Sequence, residues 1–201
     1  MSEAIGGLLS RNHVAIAIVL VSLLVVLAPL TVSAQKAGGA PSSLKIGAVD
    51  VTFGGFSLKG TQGRFSAGVK MTSAQYDLTA EDVQAALTSP QSGHSGLARA
   101  TAEGSRVKKT QVIAHIKRPL QSEEFRIAAD HAIYVPDYSR RDGGRIDFTG
   151  HVTVLSTSGF LAGPAPADFG NGPVTVQLGQ GEDYPQLQAG PGHIVVTPAQ
   201  Q

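Results

Sequence analysis

Between Phe125 and Gly163 the chain reads FRIAADHAIYV, then PDYSRRDGG, then RIDFTGHVTVLSTSGFLAG. In the last part Ile146, Phe148, Val152 and Val154 take even positions, while Asp147, Thr149, His151 and Thr153 take odd ones around Gly150. Successive side chains of an extended backbone point to opposite faces, so a period of two specifies a strand with one dry face and one wet face. Drawn straight, it would run about 30 Å. The Pro, Asp, Ser and Gly residues before it set or tolerate turn dihedrals. The stretch is predicted to be a long β-hairpin.

The same alternation recurs along the chain. Val49, Val51 and Phe53 alternate with Asp50 and Thr52 ahead of Gly54-Gly55, which reads as a turn, as does Gly143-Gly144. Phe65, Ala67, Val69 and Met71 alternate with Arg64, Ser66, Gly68 and Lys70. Tyr76, Leu78 and Ala80 come next, and after a loop at Ser89–Gly96 come Val112, Ala114 and Ile116, closed by Lys117-Arg118-Pro119. Short strands are expected at Val174, Val176, Leu178 and at Ile194, Val196 in the Gly- and Pro-rich tail.

Thr79 to Leu87 admits two structures. Thr79 with Asp82 resembles a helix capping box, with Val83, Ala86 and Leu87 on one helical face. An offset of 49 residues, however, lays Tyr76, Leu78, Ala80, Glu81, Val83 and Ala85 on Phe125, Ile127, Ala129, Asp130, Ala132 and Tyr134. In both copies the apolar phase slips by one residue, at Glu81-Asp82 and at Asp130-His131. A bulge or tight corner in a strand produces such a slip. The shared slip favours strand. A weaker echo sets Val69, Met71 and Leu78 against Val152, Val154 and Leu161, and repeated units of one type suggest a roll that grows along an axis.

Val14 to Ala28 is a continuous apolar run with one serine, preceded by Arg11 and His13. It reads as a membrane-targeting helix. Two fates stay open: a signal peptide cleaved near Ala34 after Val32-Ser33-Ala34, or an anchor over residues 14–32, which approaches the ~20 residues that span a bilayer. Either fate places the rest of the chain outside the cytoplasm. The expected organisation is residues 1–34 as signal or anchor, 35–44 as a flexible small-residue spacer and 45–198 as one β domain.

Composition narrows the chemistry. There is no cysteine, which removes disulfides, thiol catalysis and thiolate metal sites. A formal net charge of +1 gives no bulk attraction to nucleic acid, and no aromatic residues interleave the basic ones for base stacking. His115, His131 and His151 sit on separate strand candidates without metal-ligand spacing, so no metal site or cofactor is expected. No serine lies in a Gly-x-Ser-x-Gly elbow, and a Ser/His/Asp set would have to assemble from distant strands. Arg106, Lys108, Lys109, Lys117 and Arg118 form the most distinctive polar group. They read either as a solvated strand and its end, or as a site for phosphate-bearing lipid or an acidic surface.

The strand Ile127, Ala129, Asp130, Ala132, Tyr134, a turn, and then Ile146, Phe148, Gly150, Val152, Val154 resembles the OstA-like repeat. That repeat belongs to the LptA/LptC family of lipopolysaccharide-export proteins. The resemblance is strongest over Leu97 to Gly163 and fainter over Val49 to Leu87. The N-terminal hydrophobic segment and overall size are most similar to the bitopic LptC branch, and a cleaved signal would suit the LptA branch. His151 departs from the asparagine that commonly comes after the glycine, and the Gly/Pro-rich tail is also a departure.

The resemblance implies an all-β, open antiparallel β-jellyroll, or β-taco, of repeated hairpins preceded by one hydrophobic helix. It implies a non-enzymatic periplasmic role. Lipopolysaccharide or a related glycolipid would be taken from an inner-membrane ABC transporter and passed to an LptA-like β-jellyroll partner through edge-strand pairing. The inward apolar face would then touch lipid: Val69, Met71, Leu78, Ile116, Ile127, Ala129, Ile146, Phe148, Val152 and Val154. From the residues alone, Ala67, Val69, Ala80, Ala114, Ala129 and Val152 make that face apolar but small. Such faces either leave a cleft for acyl chains or pack against each other as in any sandwich. A structural or adhesive β-repeat protein with no lipid ligand is the alternative, and a hydrolase built from scattered Ser, His and Asp residues is a third.

Overall fold

The computed structural model describes residues 41–89, 96–118, 123–140, 142–157, 165–181 and 184–190, together with the backbone of 32–34. The apolar run at Val14–Ala28, Leu161 and the strand candidate at Ile194 and Val196 lie outside these residues, as do most of the spacer and most of the Ser89–Gly96 loop.

All described regular structure is β, and all the strand pairs are antiparallel. The strands are β1 (Val32–Ala34), β2 (Ser42–Ile46), β3 (Val49–Phe53), β4 (Gly55–Lys59), β5 (Gln62–Thr72), β6 (Tyr76–Leu87), β7 (Leu97–Glu103) and β8 (Val112–Arg118). After these come β9 (Glu123–Ala129), β10 (His131–Asp137), β11 (Gly143–Thr149), β12 (Thr153–Ser156), β13 (Ala167–Asp168), β14 (Val174–Leu178) and β15 (Gln186–Ala189). They form one curled sheet.

The register divides that sheet into two halves. β6 pairs with β8 through Tyr76–Thr79 and with β7 through Asp82–Leu87. β5 pairs with β3 near its end and with β4 near its start, with a register shift between Ser66 and Val69. The first half therefore runs β2-β3-β5-β6-β8-β9-β12-β13, and the second β1-β4-β5-β6-β7-β10-β11-β14-β15. Consecutive strands such as β9 and β10, or β11 and β12, are the two arms of one bent strand. Their corners align along a single crease.

The crease is built from left-handed backbone and close approaches. Ala67 and Gly68 have φ of 61° and 80°, Gly150 and His151 have 77° and 47°, and Gly170 has 59°. At Gly54 a Cβ would lie 2.8 Å from the Ala67 carbonyl oxygen, and at Gly150 it would lie 2.8 Å from the Asp130 carboxylate. Glycine is required at both. Backbone bonds continue the ladder through the corners. The Gly54 amide donates to Ser66, Gly104 to Asp130 (3.0 Å), Asp130 to Gly150 (2.7 Å) and Val152 to Gly170 (2.8 Å).

The structure corrects several expectations. Gly54-Gly55 does not reverse the chain: β3 continues through it into β4, and each arm pairs with a different part of β5. Gly143-Gly144 opens β11 instead of forming a turn, facing Pro136 and Asp137 of β10. The straight strand from Ile146 to Val154 is broken into β11 and β12 at Gly150-His151. Ala67 is exposed at the β5 bulge and does not join the inward face. Thr79 to Leu87 is strand, and the inward phase moves from Ala80 to Val83 and from Ala129 to Ala132, in line with the shared slip.

Candidate functional site

The inward faces of both halves merge into one hydrophobic cluster. Val69, Met71, Leu78, Ile116, Ile127, Ala129, Ile146, Phe148, Val152 and Val154 all belong to it, each at 0–2% exposure. In this conformation the face is covered, not laid open. A filled sandwich and a closed lipid trough share that property. Phe53, Phe56 and Phe65 cluster across the crease with ring centroids 4.8–5.6 Å apart, Phe56 stacked on Phe65 and Phe53 tilted against both. Among the described residues the buried polar side chains are Gln75 and Ser156, so the interior offers apolar contact and no carboxylate or ammonium group.

Opposite the crease the strand ends of the two halves meet along a lip. Gly96, at the start of β7, approaches Gly47 in the β2–β3 turn. Gln75, in the β5–β6 turn of the first half, reaches two backbone groups of the second. Its Nε2 donates to the Asp142 carbonyl at 3.3 Å, and its Oε1 accepts from the Gly179 amide at 3.0 Å. Beside it the Tyr76 ring of β6 lies 5.9 Å from the Tyr134 ring of β10. A cavity of about 70 Å³ sits there, lined by Ala48, Ser73, Gln75, Tyr76, Tyr134 and Leu178 among others. The Tyr76 hydroxyl is buried without a hydrogen-bond partner. Burial, with Tyr134 nearby, pushes the Tyr76 phenol far above its ordinary value. Burial, with Tyr138 and Asp142 nearby, pushes Tyr134 up to about 12. Both phenols stay neutral at any physiological pH.

The outer face of the crease is polar. Asp130 accepts from or pairs with His151 Nδ1 at 2.7 Å, Arg64 pairs with Asp82 at 2.8 Å, and Lys108 pairs with Glu81. Glu81 and Asp130, matched by the 49-residue offset, thus sit at equivalent corners and each meets a basic side chain from a neighbouring segment. The five basic residues that stand out in the sequence do not form one site. Arg106, Lys108 and Lys109 belong to the β7–β8 connection at the crease, whereas Lys117 and Arg118 end β8 at the lip, with Lys117 2.9 Å from Asp77. His115 is exposed on β8, and among the described residues no group of His, Cys, Asp or Glu is arranged to hold a metal ion.

Gln75 is the residue that sequence reasoning passes over. A glutamine in a Ser-Ala-Gln break between strands carries no signal of its own, because its partners lie 67 and 104 residues away. No protein-family model matches this chain, and no curated protein or solved structure matches it either.

Proposed function

We propose that this chain is a non-enzymatic lipid-handling component of the cell envelope. It takes lipopolysaccharide or a related glycolipid from an inner-membrane ABC transporter and passes it along a bridge of stacked β-jellyrolls. In this reading the curled sheet is an open β-jellyroll on the periplasmic side, held by residues 14–32 or released after cleavage near Ala34. The observation that carries it is the shared crease: every bent strand contributes an inward arm to each half, and those arms are apolar and mostly small. Parting the halves would offer acyl chains a continuous apolar trough, each buried methylene contributing about 0.8 kcal/mol. Among the described strands, β1 and β2 at one end and β13 and β15 at the other each have one paired side, which supports stacking by β-augmentation.

Photocrosslinkers at Ile127, Phe148 and Val152, in protein expressed in a lipopolysaccharide-producing cell, are expected to capture the glycolipid, while one at Thr153 captures none. Capture at Thr153 alone, or at no position, would overturn the reading. The second reading, a structural β-repeat with no ligand, is favoured by the near-complete burial of the same side chains against one another. It predicts no glycolipid in mass spectra of protein purified from membranes with lipids retained.

A further inference from the structure

The interior is closed along two lines that differ in kind. Through the crease the backbone ladder continues from corner to corner, so the halves cannot separate there without breaking the sheet. At the lip the Gln75 side chain bonds both Asp142 and Gly179 across the gap, next to a cavity and the buried Tyr76 hydroxyl, which has no partner among the described residues. We propose that the lip is the gate of the apolar interior and that Gln75 is its latch, with the crease as the hinge; the role of the gate in lipid passage rests on the proposed lipid-handling function. Opening breaks the two Gln75 hydrogen bonds and the Tyr76–Tyr134 contact, parts Gly96 from Gly47 and separates apolar faces that now pack on each other, which an entering apolar ligand would cover again; it also gives the Tyr76 hydroxyl water to bond. It leaves every strand ladder intact. The moving edges would be the β2–β3 and β5–β6 turns on one side, and the β10–β11 turn with the end of β14 on the other.

The absence of cysteine makes a direct test possible in the full chain. Leu178→Cys places a reporter thiol behind the latch, where Leu178 lines the cavity, and Ala129→Cys places one beside the crease. Adding Gln75→Ala should speed labelling of the thiol at 178 by about 10-fold, the loss expected when a buried bonded group is released. Labelling at 129 should not change. An equal rise at both positions, or none at either, overturns the latch. Should Gln75→Ala fail to fold, a second measurement carries the test. Ala74→Cys with Asp142→Cys, both lining the cavity beside an intact Gln75, is joined after folding by a short thiol-cleavable crosslinker, and uptake of a polarity-sensitive fluorescent fatty acid is monitored. Uptake should stop on crosslinking and return on reduction, and uptake that ignores the crosslink overturns the gate. If no form takes up the probe while the labelling contrast at 178 persists, the latch stands and the lipid reading falls.

Discussion

At the crease, the amides of Asp130 and Val152 donate to carbonyls at 2.7 and 2.8 Å, and glycines sit where no Cβ fits. At the lip the described contacts are those of Gln75, of the Tyr76 and Tyr134 rings beside a small cavity, and of Gly96 against Gly47. Both lines seal the same apolar interior. The difference is that the crease is made of backbone, whose conformation the corner residues dictate, whereas the lip is made of side chains that meet across a gap. A local change at the crease should therefore cost the whole molecule, and one at the lip should cost only closure.

The sharpest way to break this contrast is at the corners. Gly150→Val puts a branched side chain at φ 77° and against Asp130, and it is expected to lose about 2–4 kcal/mol of stability. Gly68→Val shares the left-handed conformation at φ 80° but meets no atom within 4 Å, so it should lose about 1–2 kcal/mol. Urea midpoints at unchanged slope would measure both. Equal losses would mean that close packing at the corner is not what the glycine protects.

At the lip the expected sign is different. Tyr76→Phe removes a buried hydroxyl that has no protein partner, so it should leave stability unchanged or raise it by about 1 kcal/mol. The same variant changes the alkaline response. A phenol whose folded pKa is raised adds stability that is complete below the unfolded value near 10, and that stability is lost as pH climbs toward the folded value. Between pH 10 and 12 the parent chain should lose up to about 1.4 kcal/mol per pH unit from the fully buried Tyr76 phenol and less from the half-buried Tyr134, so Tyr76→Phe should show the shallower slope. Denaturation series at pH 9 to 12 would decide it.

The smallest effect is on the outer surface beside the lip. Burial tends to raise the Asp77 carboxyl, but its hydrogen bond and charge pairing with Lys117, helped by Lys70, more than offset this and hold it below its ordinary value. Its contribution is present above the ordinary carboxylate range and disappears as pH falls through the lower folded value. Because solvent screens the pair, Asp77→Asn should change stability by less than about 1 kcal/mol at neutral pH, with acid sensitivity slightly reduced. A larger loss would show that the lip depends on its outer charges as well as on Gln75.

How much of this is legible in the residues depends on the range over which each signal acts. Strand alternation and the slips at Glu81-Asp82 and Asp130-His131 are local, and both appear as strands with a corner. The Gly150-His151 corner leaves no such trace. Two left-handed residues turn the chain there while Phe148 and Val152 keep the same parity, so the pattern looks like one straight strand. Gly54-Gly55 is legible as a break but not as a bend without reversal, since that depends on which part of β5 each arm meets. The lip is invisible, because it joins turns far apart in the chain through a residue type common on any surface. The targeting segment lies almost wholly outside the described residues and so does most of the spacer, whose last residues Ser42–Leu44 belong to β2.

Because the bent strands all turn at one line, the cross-section of the fold is set by a single bent unit and its length by how many units succeed one another. Adding or deleting one such unit would lengthen or shorten the molecule by about 4.8 Å per strand without altering its profile. A fold of this kind gains reach across a gap by repeating the bent unit while keeping the same corner chemistry, and the 49-residue offset is the pattern that such internal duplication leaves.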